Sequence, residues 1–168
     1  RNGMKAIING KIVLPSSIVE GMALVYDEKI EGIRPQDEIG DCEEVIDAKG
    51  QYVMPGLVDM HIHGYLGEDA SDGSADGIRK MAEGIAKNGV TSWLPTTMTV
   101  SYDTLREAFK AISTVMEESK KDDFNGAEIM GVNAEGPFIN PAKKGAQAGE
   151  HIRPCDPDFI NEYADLIR

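Results

Sequence analysis

The chain has 168 residues, 41% of them hydrophobic, enough for a folded core and too many for a disordered chain. Seventeen Lys and Arg stand against 29 Asp and Glu, a formal net charge of −12. That balance argues against nucleic-acid or anionic-membrane binding, and no apolar run approaches the roughly 20 residues that span a bilayer.

Met4 reads as the natural start, with Arg1–Gly3 a remnant before it and no signal-peptide pattern after it. Residues 1–54 read as a β-domain. Lys5–Ile8 and Lys11–Leu14 flank Asn9-Gly10, a type I′ hairpin signal. Further strands are predicted at Met22–Tyr26, Lys29–Ile33, Val45–Ile46 and Gln51–Met54, the whole forming part of a small β-sandwich or barrel-like unit.

Pro55-Gly56 breaks the pattern, and strands and helices alternate over residues 55–168. Leu57–His63 reads as a buried strand. Ala75–Asn88 reads as a helix with Ile78, Met81, Ala82 and Ile85 on one face and Gly89 as C-cap. Val90–Leu94 is the next strand, ended by Thr96 and Thr97. Tyr102–Lys120 is the next helix, with Leu105, Phe109, Ile112 and Met116 inward and Thr104 with Glu107 as a capping box. Ala127–Ala134 is a third strand. Asp156-Pro157 opens a helix with Phe159, Ile160, Tyr163 and Ile167 on its apolar face, running to Arg168 without a stop signal. This alternation predicts a parallel α/β sheet with crossover helices. About three βα units are too few to close a (β/α)8 barrel; they could make a small open sheet, but the helix without a stop signal favours truncation, with apolar strand and helix faces left uncovered.

Cys42 and Cys155 are far apart and form no C-x-x-C pair; with no N-x-[ST] sequon, they suit a reducing, cytoplasmic setting. Phosphate-loop, dinucleotide-fingerprint and serine-elbow motifs are absent.

Three features carry chemistry. His61 and His63 stand at i and i+2 of a strand, so both imidazoles project to one side, and Asp59 shares that side. The geometry suits one metal ion; the plain alternative is two histidines bonded to backbone. Glu135 ends the third strand before a Gly-Pro turn, placed for metal ligation or proton transfer, or simply solvated. Together the three residues make a nitrogen and oxygen set that favours Zn, with Fe, Co or Mn as other candidates and one or two ions. Lys143-Lys144-Gly145-Ala146-Gln147 offers ammonium groups to an anion, or is an ordinary basic loop. His151 reads as a loop histidine, and Trp93 as core.

These residues resemble a known family. Pro55-Gly56-Leu57-Val58-Asp59-Met60-His61-Ile62-His63-Gly64 is similar to the opening barrel strand of the metal-dependent amidohydrolases. Gly89–Thr97, Asn133–Phe138 and Lys144–Gln147 resemble the N-acetylglucosamine-6-phosphate deacetylases, over the N-terminal part of that family's length. The resemblance implies a (β/α)8 barrel with a small β-domain. It also implies removal of the acetyl group from N-acetyl-D-glucosamine 6-phosphate, giving glucosamine 6-phosphate and acetate, by a metal-activated water and a carboxylate that carries the proton. It implies Glu135 as principal metal ligand, His61 and His63 as ligands of a second metal, Ala146 and Gln147 as substrate contacts, and a homodimer. The family's later histidines and its catalytic aspartate are expected beyond Arg168, so no catalytic residue is assigned here and the 168-residue chain alone is expected to be inactive. A dihydroorotase or hydantoinase would bring a carbamylated lysine near Glu135, and Met130–Glu135 has none. A non-catalytic fragment is the other alternative.

Overall fold

Short runs of Ile, Val and Lys punctuated by Asn, Gly and Asp favour strands, and the first part of the chain is built of them. The structure, a computed structural model, describes residues 3–166. Backbone proximity divides it into two units, Arg1–Pro55 and Gly56–Arg168.

The first unit contains β1 (Lys5–Ile8), β2 (Lys11–Val13), β3 (Ile18–Val19), β4 (Met22–Tyr26), β5 (Ile30–Pro35), β6 (Glu44–Asp47) and β7 (Tyr52–Val53). They form two sheets, ordered β5-β4-β1-β6 and β3-β2-β7. Ala6 of β1 and Ala23 and Val25 of β4 are fully buried.

The Asn9-Gly10 hairpin does not form. β1 pairs antiparallel with β4 and parallel with β6, while β2 pairs antiparallel with β3 and parallel with β7. Asn9 takes a left-handed φ of 56°, but Gly10 serves a different need: a Cβ there would lie 2.5 Å from Val53 Cγ2. The chain therefore changes sheet at this point instead of folding back. Residues 48–51 make the same crossing alongside, with Gly50 N donating to Asn9 O at 2.7 Å and Lys11 N donating to Gln51 O at 2.9 Å.

The second unit contains β8 (Leu57–Ile62), β9 (Gly64–Tyr65), β10 (Glu68–Asp69), α1 (Ala75–Ala86), β11 (Val90–Thr97), α2 (Tyr102–Ser119), β12 (Glu128–Ile129), β13 (Asn133–Ala134) and α3 (Pro157–Tyr163). β11 is central: it pairs in parallel with β8 on one side and with β12 and β13 on the other. The third strand expected over Ala127–Ala134 is thus two short strands with residues 130–132 between them.

The helical patterns are realised. Ile78, Met81, Ala82 and Ile85 of α1 and Ile112, Val115 and Met116 of α2 pack with Trp93 and Ile129. Trp93 Nε1 donates to Ala127 O at 3.2 Å. The expected Thr104–Glu107 capping box is absent, because Ser101 lies one turn closer to the start of α2 and accepts the Thr104 N–H at 3.1 Å. α3 begins at Pro157 after the Asp156 cap, and its Phe159 and Tyr163 pack against Leu105 and Phe109. Ile167 lies outside the described residues.

β8 is the second correction. Read as buried, it exposes Leu57 at 53%, Val58 at 64% and Met60 at 67%. The reason is its place at the sheet edge: among the described residues, only β11 pairs with it. No helix among the described residues is long and apolar enough to cross a membrane.

Candidate metal centre

Strand alternation and parallel pairing bring the site together. β8 carries His61, and His63 follows one residue past its end. β13, on the far side of β11, delivers Glu135 one residue past Ala134. Glu135 N donates to Thr97 O at 3.1 Å, which continues the β11–β13 ladder to the carboxylate.

The three side chains converge. His61 Nε2 lies 3.3 Å from His63 Nε2 and 3.0 Å from Glu135 Oε2. His63 Nε2 lies 2.8 Å from the same oxygen. All three donors fall within 4.8 Å of one another. His61 and Glu135 border a depression of about 460 Å³, lined also by Asn133, Gly136 and Phe138.

His63 is oriented by a backbone partner. Its Nδ1 lies 3.0 Å from Thr96 O. A carbonyl only accepts, so Nδ1 carries a proton, and in the tautomer this fixes Nε2 is the nitrogen left to bind a metal. This is the usual outer support of a metal-binding histidine. Burial alone would raise the Glu135 carboxyl, but bonds from His61 and Gln147 and the charge of the two imidazoles outweigh it and hold the group below the ordinary glutamate value.

The donor set fits a divalent ion. Two nitrogens about 2.0–2.1 Å from a tetrahedral zinc stand about 3.3 Å apart, which is the His61–His63 separation. Asp59 is not among the grouped donors: its Oδ1 accepts the His61 N–H at 3.0 Å, so its carboxylate is taken up by the backbone.

The basic loop is partly tied to itself. Lys144 Nζ folds back onto Gln147 O at 2.9 Å and Gly145 O at 3.4 Å. Ala146 and Lys143 are exposed, and His151 closes a short 3-10 turn, Gly149–His151. Gln147 is only 6% exposed, and its Oε1 accepts the Thr99 N–H at 2.7 Å.

Two residues at the site were missed by sequence reasoning. Asn133 lines the depression and donates from Nδ2 to Thr96 Oγ1 at 3.4 Å. Thr99 donates from Oγ1 to Glu135 O at 3.4 Å. The signal was the Thr96-Thr97-Met98-Thr99 cluster at a strand end. Thr97 Oγ1 is buried without a hydrogen-bond partner.

Residues 44–120 match the amidohydrolase family. The chain is 30% identical over 163 residues to the N-acetylglucosamine-6-phosphate deacetylase of Bacillus subtilis, covering 97% of this chain and 37% of that protein. It is 35% identical over 123 residues to the N-acetylgalactosamine-6-phosphate deacetylase of Escherichia coli O157:H7, covering 73% of this chain and 31% of that protein. Its backbone matches the crystal structure of N-acetylglucosamine-6-phosphate deacetylase from Pasteurella multocida with a TM-score of 0.82 at 29% identity, over 98% of this chain and 43% of that one. The chain thus spans about two fifths of the length of the relatives that it matches across nearly its whole extent. Residues 44–120 are thus similar to the amidohydrolases, and nearly the whole chain is similar to part of the N-acetylglucosamine-6-phosphate deacetylases in sequence and backbone.

Proposed function

We propose that the chain is the part of an N-acetylglucosamine-6-phosphate deacetylase that holds a divalent metal ion, with His61, His63 and Glu135 as ligands. The observation that carries this reading is their convergence within 4.8 Å at neighbouring strand ends. Zinc suits the nitrogen and oxygen set best, with Fe, Co or Mn as other ions it accepts. Such an ion, when bound, supplies a Lewis acid that polarises an amide carbonyl and activates water.

The proposed reaction is hydrolysis of the N-acetyl group of N-acetyl-D-glucosamine 6-phosphate. The amide C–N bond breaks, water supplies the second oxygen of acetate, and its two protons end on the sugar amine as an ammonium. β8, β11, β12 and β13 are read as the first staves of a (β/α)8 barrel over residues 55–168. Residues 1–54 are read as part of a small β-sandwich. A cytoplasmic homodimer is the proposed setting. Ala146 and Gln147 are proposed on the substrate side. Ala146 is the freer of the two, since Thr99 already takes the Gln147 amide oxygen.

Among the described residues, the only carboxylate in the cluster is Glu135, which the reading assigns to the metal. No group there is free to carry the proton, and the 168-residue chain by itself is proposed to be inactive. The cyclic-amide reading is disfavoured by the absence of lysine from Met130–Glu135.

The test is equilibrium dialysis of the purified chain against Zn²⁺, with acetate release from N-acetyl-D-glucosamine 6-phosphate followed in parallel. Zinc binding that His63→Ala and Glu135→Ala abolish, without acetate release, is expected. A chain that binds no zinc overturns the metal reading, and turnover by the chain alone overturns its proposed inactivity.

A further inference from the structure

We infer that Thr96 is the positioning residue that sets the His61–His63 pair for metal binding. The inference rests on the metal reading above.

The β8–β11 ladder is irregular where it matters. Register slips between Trp93 and Pro95, and Pro95 stands opposite Ile62. Proline has no N–H to give to a neighbouring strand. Ile62, the residue between the two histidines, donates its N–H to a side-chain acceptor of β11, Thr96 Oγ1, at 3.1 Å. The same hydroxyl donates to Leu94 O at 3.1 Å and accepts from Asn133 Nδ2 at 3.4 Å. A hydroxyl has one proton and two lone pairs, and all are used. The Thr96 carbonyl meanwhile holds His63 Nδ1 at 3.0 Å.

One fully buried residue thus grips the histidine strand twice, at the Ile62 backbone through its side chain and at the His63 ring through its main chain. Removing the hydroxyl takes the Thr96 Oγ1 acceptor from the Ile62 N–H and leaves Asn133 Nδ2 with Met60 O at 3.5 Å, freeing the strand end to shift. The isosteric change Thr96→Val does this while keeping the volume.

The experiment is zinc affinity of the purified chain, by competition with a chromophoric chelator. Wild type, Thr96→Val and Thr96→Ser are compared well below the unfolding temperature of the metal-free protein, so that global instability is not what is read. Thr96→Val is expected to bind zinc 10- to 100-fold more weakly, and Thr96→Ser to bind near wild type. Thr96→Val with wild-type affinity, or Thr96→Ser as weak as Thr96→Val, overturns the inference and leaves the metal reading intact. A wild-type chain with no zinc binding sensitive to His63→Ala overturns that reading, and the inference with it. If Thr96→Val does not fold, Thr96→Ser and the Ile62 amide of the wild-type protein decide. Slow hydrogen exchange there supports the grip, and unprotected exchange overturns it.

Discussion

Arg79 on α1 holds Glu118 on α2 through two nitrogens, Nε and Nη2, each 2.7 Å from a carboxylate oxygen. The fork also takes Asp76 Oδ1 at 2.6 Å. The Arg79 bond keeps the Glu118 carboxyl below the ordinary glutamate value, against an opposing effect of burial. A lowered folded-state value means that the stabilisation is complete above the ordinary pKa and is lost as pH falls through the lowered one. Both side chains are about one-third exposed, so water screens the pair. Glu118→Gln is expected to lower Tm by about 1–3 °C at neutral pH and to flatten the decline of Tm on the acid side. Thermal melts from neutral to acid pH check this; identical profiles for the variant and wild type count against it.

Zinc is expected to raise the melting temperature. Binding to the folded state alone at 100 times Kd adds about 2.7 kcal/mol, or about 5–10 °C for a chain of this size. A chelator in excess should return Tm to its starting value. His63→Ala and Glu135→Ala should melt without a zinc shift, and differential scanning calorimetry reads all of these together.

Two glycines with left-handed φ separate strain from crowding. Gly136 has φ 93° and Gly145 has φ 59°. A Cβ at Gly145 meets nothing within 4 Å, whereas one at Gly136 collides with the Thr99 hydroxyl. Gly145→Ala is expected to cost only the conformational penalty, about 1–2 kcal/mol. Gly136→Ala is expected to cost more and to weaken zinc binding by about tenfold or more, since it displaces the residue next to Glu135. Denaturant midpoints and chelator competition on the two variants measure the difference.

Asp156 serves α3 with both oxygens. Oδ1 accepts the Phe159 N–H at 3.2 Å as the helix cap, and Oδ2 accepts the Tyr102 hydroxyl at 2.9 Å. Asp156→Ala is expected to destabilise by about 1 kcal/mol through the cap alone. Burial, then the bond to Asp156, raises the Tyr102 phenol above its ordinary value. That stabilisation is full below about pH 10 and is lost as pH rises through the raised value. Tyr102→Phe should therefore be least stable relative to wild type at neutral pH and converge with it in strong alkali, as urea titrations across pH would record.

Much of the second unit was legible because its helices carry long apolar periods. Ile78, Met81 and Ile85, like Leu105, Phe109 and Ile112, can face only one way on a helix, and all are buried. His61 and His63 were legible for a similar reason, since strand alternation admits no other side. What pairs with a strand is written less clearly. Asn9-Gly10 satisfies a hairpin rule locally, yet β6 and β7 compete for the same edges and win. Leu57, Val58 and Met60 signal that a strand face wants covering, but an apolar run does not say which segment covers it. Asn133 and Thr99 were missed because their parts in the site depend on contacts between different strands, and no spacing along the chain encodes those.

The crossing at Asn9 also bears on when the first unit can fold. A hairpin closes within a few residues, so its strands can meet as soon as they are made. In β1 the parallel partner of Lys5 is Glu44, 44 − 5 = 39 residues later, and β2 waits for Tyr52 and Val53. Closing loops of that length before any pairing is gained slows folding. During synthesis, β1 must stay unpaired along this edge until residue 47 has left the ribosome, and β2 until residue 53 has.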